Sequence, residues 1–157
     1  MQGDDSVFRA LKAKLEASGR PHRVLQHEPA ETSADSARIR GSRLEQGAKA
    51  LVLRSKGTYM LFVMSAAREL DPKAVRKELG LKSLSFASPA EVEEHFKLLK
   101  GAVPPFGSVL GIDTYADESL RTNEEIVFNA GLRSTSVFIA LADYDALEKP
   151  RWLNFVK

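Results

Sequence analysis

The sequence predicts an α+β fold, a compact, mixed and largely antiparallel sheet with surrounding helices. Three observations lead there. Apolar runs of strand length occur in two adjacent pairs, "AKALVLRS" with "TYMLFVMS" and "EIVFNAG" with "TSVFIAL", and the short turn within each pair makes it a hairpin. Segments bounded by helix-start and helix-stop residues are interspersed with these hairpins. Strands joined by short turns also exclude simple βαβ alternation, because parallel neighbours need a crossover of about a dozen residues or more.

The elements follow in chain order. Residues 4–18 read as a helix: Val7, Leu11 and Leu15 recur at helical spacing, Asp4 or Asp5 caps the start, and Gly19 ends it. After Pro21, "HRVLQH" reads as a short strand. "TSADSARIRG" is a capped helix with Thr32 or Ser33 at the N-cap and Gly41 after its end. The first hairpin turns at "KG". "DPKAVRKELG" is a short helix with Pro72 in its first turn and Gly80 beyond its last. "SLSFA" is a strand. "SPAEVEEHF" opens a helix with Ser88 as cap, Pro89 at the first position and Glu91 closing a capping box. The second hairpin follows a glycine- and proline-rich loop, and "DYDAL" begins a short last helix. The terminal "RWLNFVK" fits no element.

The composition bounds the function. With 157 residues, 43% hydrophobic and 28% charged, the chain reads as one globular domain over residues 1–157. A net charge of +2 is too mild to imply nucleic acid by itself, although a local basic patch remains compatible with it. The absence of cysteine excludes a disulfide framework, a thiol nucleophile and thiolate-bound metal. The N-terminal "MQGDDSVFRA" is acidic without an apolar centre, so no signal peptide is expected. No apolar run reaches membrane-span length, and the expected location is the cytoplasm.

Few residues suggest chemistry. Lys49 opens the apolar strand of "GAKALVLR"; a lysine there is ordinarily a surface residue at a strand end, or else stands at the rim of a pocket built on the sheet. His22, His27 and His95 lie in separate elements without metal-ligand spacing, so they read as structural or surface residues and no metal is expected. No serine sits in a GxSxG elbow, and neither GxGxxG nor a P-loop occurs. Arg38, Arg40 and Arg43 form either a solvated face or a phosphate-contacting rim. Asn129, Gly131 and Ser136 fall in "FNAGLRSTS", where Asn and Gly serve as turn formers. The loop "LLKGAVPPFGS" is unusually restricted: Pro104 and Pro105 fix φ and donate no N–H, while Gly101 and Gly107 permit close approach.

"GAKALVLR", "GAVPPFG" and "VFNAG", in that order, resemble the YbaK and prolyl-tRNA synthetase insertion-domain family, the trans-editing aminoacyl-tRNA deacylases. The resemblance runs from "HEPAETSADSA" to "ALADYDAL". It implies hydrolysis of the ester joining a wrong amino acid to the tRNA 3′ end, without a cofactor. Lys49 matches the family's functional lysine, and the segment from Gly101 to Pro105 its G-x-x-x-P loop. Catalytic roles are thus implied for Lys49 and Gly101. Substrate contacts are implied for Thr32, Ala102, Val103, Pro104, Pro105, Phe106, Gly107, Asn129, Gly131 and Ser136. Arg38, Arg40 and Arg43 would meet the acceptor end.

Pro104 and Pro105 cannot donate, so Gly101, Ala102, Val103, Phe106 and Gly107 are the available backbone N–H sources for stabilising negative charge on the ester. Ser136 stands near where some members carry a histidine, which leaves the substrate open. The resemblance leans towards serine and threonine, with alanine and then cysteine next. Partners implied are aminoacyl-tRNA and an aminoacyl-tRNA synthetase, with no membrane. The competing expectation is a catalytically silent module that binds tRNA or a synthetase; the intact Lys49 and loop weigh against it.

Overall fold

The computed structural model describes residues 4–30 and 32–157. Residues 1–3 of the expected domain lie outside the described residues. The α+β expectation is borne out, with strands arranged in two sheets. The smaller is antiparallel, in the order β1 (His22–Gln26), β7 (Thr135–Ala140), β6 (Glu125–Asn129). The larger runs β4 (Ser85–Phe86), β2 (Ala48–Ser55), β3 (Thr58–Ser65), β5 (Asp113–Asp117), β8 (Arg151–Leu153). Both expected hairpins are present, as β2–β3 and β6–β7. A single parallel bridge between Gly47 and Val127 connects the entry of β2 to β6.

Side-chain alternation along β3 explains its unbroken apolar sequence. Leu61 and Val63 join a core shared with Ile126, Phe128, Val137 and Ile139 of the smaller sheet and with Val7, Leu11 and Leu15 of α1 (Ser6–Ser18). Met60, Phe62 and Met64 point the other way, onto Leu70, Phe155 and Val75 of α3 (Pro72–Leu79). A strand covered on both faces has no solvent side on which to place polar residues.

Helix starts follow their capping chemistry. The Thr32 side chain accepts from the Asp35 N–H to open α2 (Ser33–Arg40). Ser88 and Glu91 close a reciprocal box at the start of α4 (Pro89–Phe96). At α1, Asp4 rather than Asp5 binds the first-turn N–H, that of Ser6. Helix α5 (Leu141–Glu148) starts two residues before "DYDAL".

The sequence reading passed over two strands. β5 lies parallel to β3, and β8 lies parallel to β5. β8 takes its residues from the unplaced "RWLNFVK". The aspartates bounding β5 disguise it, since acidic residues are depleted in strands. Asp117 is nevertheless buried, because its carboxylate accepts from the Ser119 and Phe155 N–H groups. "SLSFA" contributes only Ser85 and Phe86 to pairing.

Candidate active site

The restricted loop divides into two halves. Residues 104–107 are an anchor in the core. Phe106 is fully buried and packs against Phe128 and Tyr144, a burial worth about 1.5–3 kcal/mol. The Tyr144 hydroxyl donates to the Pro105 carbonyl at 2.7 Å, and the Gly107 N–H donates to Thr114 Oγ1 at 2.9 Å. A Cβ on Gly107 would collide with Thr114 Oγ1 and the Ile112 carbonyl, so only glycine fits.

Residues 100–103 form the other half, with Lys100 and Gly101 exposed, Ala102 buried and Val103 half-buried. Its successive carbonyls are each held by the turn of the β6–β7 hairpin. Arg133 Nε donates to the Lys100 carbonyl at 2.7 Å, Asn129 Nδ2 donates to the Gly101 carbonyl, and the Gly131 N–H donates to the Ala102 carbonyl at 2.9 Å. Gly101 sits at φ 85°, a left-handed conformation that glycine adopts without strain. In a trans peptide the N–H points opposite to the carbonyl. Pinning the Lys100 and Ala102 carbonyls to the hairpin therefore turns the Gly101 and Val103 N–H groups away from it. Among the described residues, neither N–H has a protein partner. The Ala102 N–H is committed to the Leu99 carbonyl at 3.0 Å, and the Gly107 N–H to Thr114.

Gly101 and Val103 line a pocket of about 230 Å³ together with Lys49 and Asn129. Alanines 30, 37, 48, 50 and 66 narrow it, and α2 contributes Ser33, Ser36 and Arg40 along one helical face. Thr32 lines it as well, with its hydroxyl oxygen engaged as the helix cap.

Lys49 is half-buried, and burial lowers the pKa of its ammonium. The nearby Glu69 charge opposes that shift. Nζ donates to the Arg68 carbonyl at 2.6 Å, which leaves two of its three N–H bonds for other acceptors.

The arginines separate. Arg38 is exposed and pairs with Asp35. Arg43 is exposed beside Glu45 and lines the pocket mouth. Arg40 turns inward: Nε donates to Ser136 Oγ at 2.8 Å, and one terminal nitrogen donates to Asn129 Oδ1 at 2.8 Å. Burial lowers its pKa to about 10, so it remains charged at neutral pH. Among the described residues it has no carboxylate partner. Its environment is that of an internal organiser rather than a surface phosphate contact.

Ser136 is fully buried on β7, and His27 Nε2 lies 2.7 Å from its hydroxyl. His27 Nδ1 lies 2.7 Å from the Glu28 carbonyl. A carbonyl only accepts, so Nδ1 carries a proton; in that tautomer Nε2 is the acceptor that faces the serine hydroxyl. A continuous chain thus links His27, Ser136, Arg40, Asn129 and the Gly101 carbonyl. Sequence reading missed Ser36; His27 it read as structural or surface, and its bond to Ser136 is structural. For Ser36 the available signal was spacing: Ser33, Ser36, Ala37 and Arg40 recur as one helical stripe of small and polar residues. Of the expected substrate contacts, Ala102, Pro104, Pro105, Phe106, Gly107, Gly131 and Ser136 do not line the pocket. They brace the residues that do.

Among the described residues, no group of three or more His, Asp or Glu side chains could hold a metal ion, and no helix is long and apolar enough to cross a membrane. The model of the aminoacyl-tRNA editing domain matches residues 27–147. The chain is 37% identical over 154 residues to a protein of Escherichia coli K12 named multifunctional Ser/Thr-tRNA deacylase ProXp-y, covering 95% of this chain and 92% of the relative. It is 26% identical over 158 residues to the prolyl-tRNA editing protein ProX of Acetoanaerobium sticklandii, covering 97% and 96%. The crystal structure of a candidate trans-editing enzyme for prolyl tRNA synthetase superposes with a TM-score of 0.85 at 24% identity, covering 97% and 98%, a likeness of fold. The chain belongs to the aminoacyl-tRNA editing domain family.

Proposed function

We propose that the whole chain acts as one editing domain that hydrolyses the ester of tRNA mischarged with serine or threonine. The family sets the reaction class, and the relative named for Ser/Thr-tRNA supports the choice of amino acid. The observation that carries the mechanism is the pinned loop: Gly101 and Val103 line a pocket shared with Lys49, and among the described residues their N–H groups have no protein partner.

Water attacks the ester carbonyl carbon, with the neighbouring hydroxyl of the terminal ribose assisting. Negative charge develops on the carbonyl oxygen, and the two fixed N–H donors receive it without reorganising. The bond from carbonyl carbon to ribose oxygen then breaks. The ribose oxygen takes a proton, and free amino acid leaves. Lys49 orients the polar groups of the aminoacyl moiety and forms no covalent adduct. Gly101 is catalytic through its backbone, while Asn129, Arg133 and Gly131 hold that backbone. Arg43 and Lys100 at the mouth face the acceptor-end phosphates. A cytoplasmic location and delivery of substrate by a synthetase accord with this activity.

Purified protein incubated with tRNAs carrying Ser, Thr, Ala or Cys tests the proposal by release of free amino acid. Serine and threonine should leave fastest. Tight tRNA binding without release of any amino acid would favour the silent binding module instead.

A further inference from the structure

Ser36 is 7% exposed, within the second turn of α2, and lines the pocket. Its N–H completes a helical bond to the Thr32 carbonyl at 2.9 Å. Its hydroxyl has no hydrogen-bond partner among the described residues. Among the described residues, the sealed-in side-chain oxygens without a partner are those of Ser42 and Ser119, so the Ser36 hydroxyl opens on the pocket rather than into packed protein. Ala37, Ala48 and Ala50 line the same pocket, together with polar side chains such as Lys49 and Asn129. A substrate that fills the pocket displaces water from this hydroxyl, and the loss costs free energy unless a polar group of the substrate replaces it.

We infer that Ser36 reads the side-chain hydroxyl of the substrate amino acid; this rests on the serine and threonine specificity proposed above. A hydroxyl both donates and accepts, so it complements the hydroxyl of a seryl or threonyl group in either direction. An alanyl group would fill the same space and leave Ser36 unpaired. A site built to hydrogen-bond a hydroxyl discriminates in that way, whereas size alone separates such small side chains poorly. Ser36 is therefore a specificity determinant.

The experiment compares wild type with Ser36→Ala on Ser-, Thr- and Ala-tRNA, reading kcat/KM for each. Alanine suits a helix interior, so melting temperature should hold. The variant should lose about ten-fold on Ser- and Thr-tRNA, the scale of one hydrogen bond, while release of alanine holds or rises because no hydroxyl is left unpaired. A wild type without preference for Ser or Thr over Ala would overturn the substrate proposal itself. A wild type with that preference and a Ser36→Ala variant that keeps it would overturn only the role of Ser36. Equal losses on all substrates would also overturn it, since a packing defect does not distinguish side chains.

Discussion

Asn129→Ala cuts the link between the internal arginine and the pinned loop. The Asn129 side chain donates to the Gly101 carbonyl and accepts from Arg40. A hydrogen bond to a charged group contributes about 1.5–3 kcal/mol and a neutral one about 0.5–1.5 kcal/mol. Asn129 is only half-buried, so water replaces part of both. A net loss of about 1–2 kcal/mol is expected, which lowers the melting temperature by roughly 2–8 °C in a chain of this length.

Turnover should suffer more than stability. Without its pin, the peptide that ends in the Gly101 carbonyl can rotate and take the neighbouring N–H groups out of line. A misplacement of about 1 Å at a reacting centre costs on the order of 100-fold in rate. Single-turnover release of amino acid from mischarged tRNA, with the folded fraction measured in parallel, separates the two effects. Asn129→Asp sharpens the test. It keeps an acceptor for Arg40 but offers no donor to the Gly101 carbonyl, so it should be as slow as Asn129→Ala and more stable. Full turnover in Asn129→Asp, or a loss in Asn129→Ala no larger than the unfolded fraction, would refute the pinned-loop mechanism.

Three other variants address the remaining parts. Lys49→Ala should abolish most deacylation while the fold persists. Because burial lowers the Lys49 pKa, wild-type kcat/KM should fall with rising pH below 10.5, as the ammonium loses its proton, and Lys49→Arg should move that alkaline limb upward once spontaneous ester hydrolysis is subtracted. The Arg38→Ala, Arg43→Ala pair should flatten the salt dependence of tRNA binding, measured as the slope of log affinity against log salt; an unchanged slope would return both to the solvated face. Gly101→Val places its Cβ in open space, so the damage comes from φ 85° rather than from collision; strain of about 1–2 kcal/mol should shift the backbone and slow turnover with little change in tRNA affinity.

What the sequence made legible divides along physical lines. Local chemistry was readable: the Ser88–Glu91 box, the Thr32 cap, the apolar runs of β2 and β3, and the stiff loop each announce themselves within a few residues. β5 was not, because Asp117 is satisfied by the Phe155 N–H, a partner 38 residues away. The site shows the same divide. Lys49 and Gly101 stood out by residue type and place, whereas the support beneath them is assembled only by strand pairing. β1 lies against β7 with Leu25 opposite Ser136 and Gln26 opposite Thr135, and this register carries His27, one residue past the strand, to the Ser136 hydroxyl. Ser136 can then receive Arg40 Nε on its oxygen while its own proton goes to His27. Serine suits this junction because one small hydroxyl both donates and accepts, and it leaves the guanidinium free to reach Asn129. From its neighbours Arg38 and Arg43, Arg40 read as part of a solvated face or a phosphate-contacting rim, yet an enclosed cation without a carboxylate among the described residues is costly unless its donors are used. Those donors go to Ser136 and Asn129, which makes the position of the pinned loop depend on a charge held behind it.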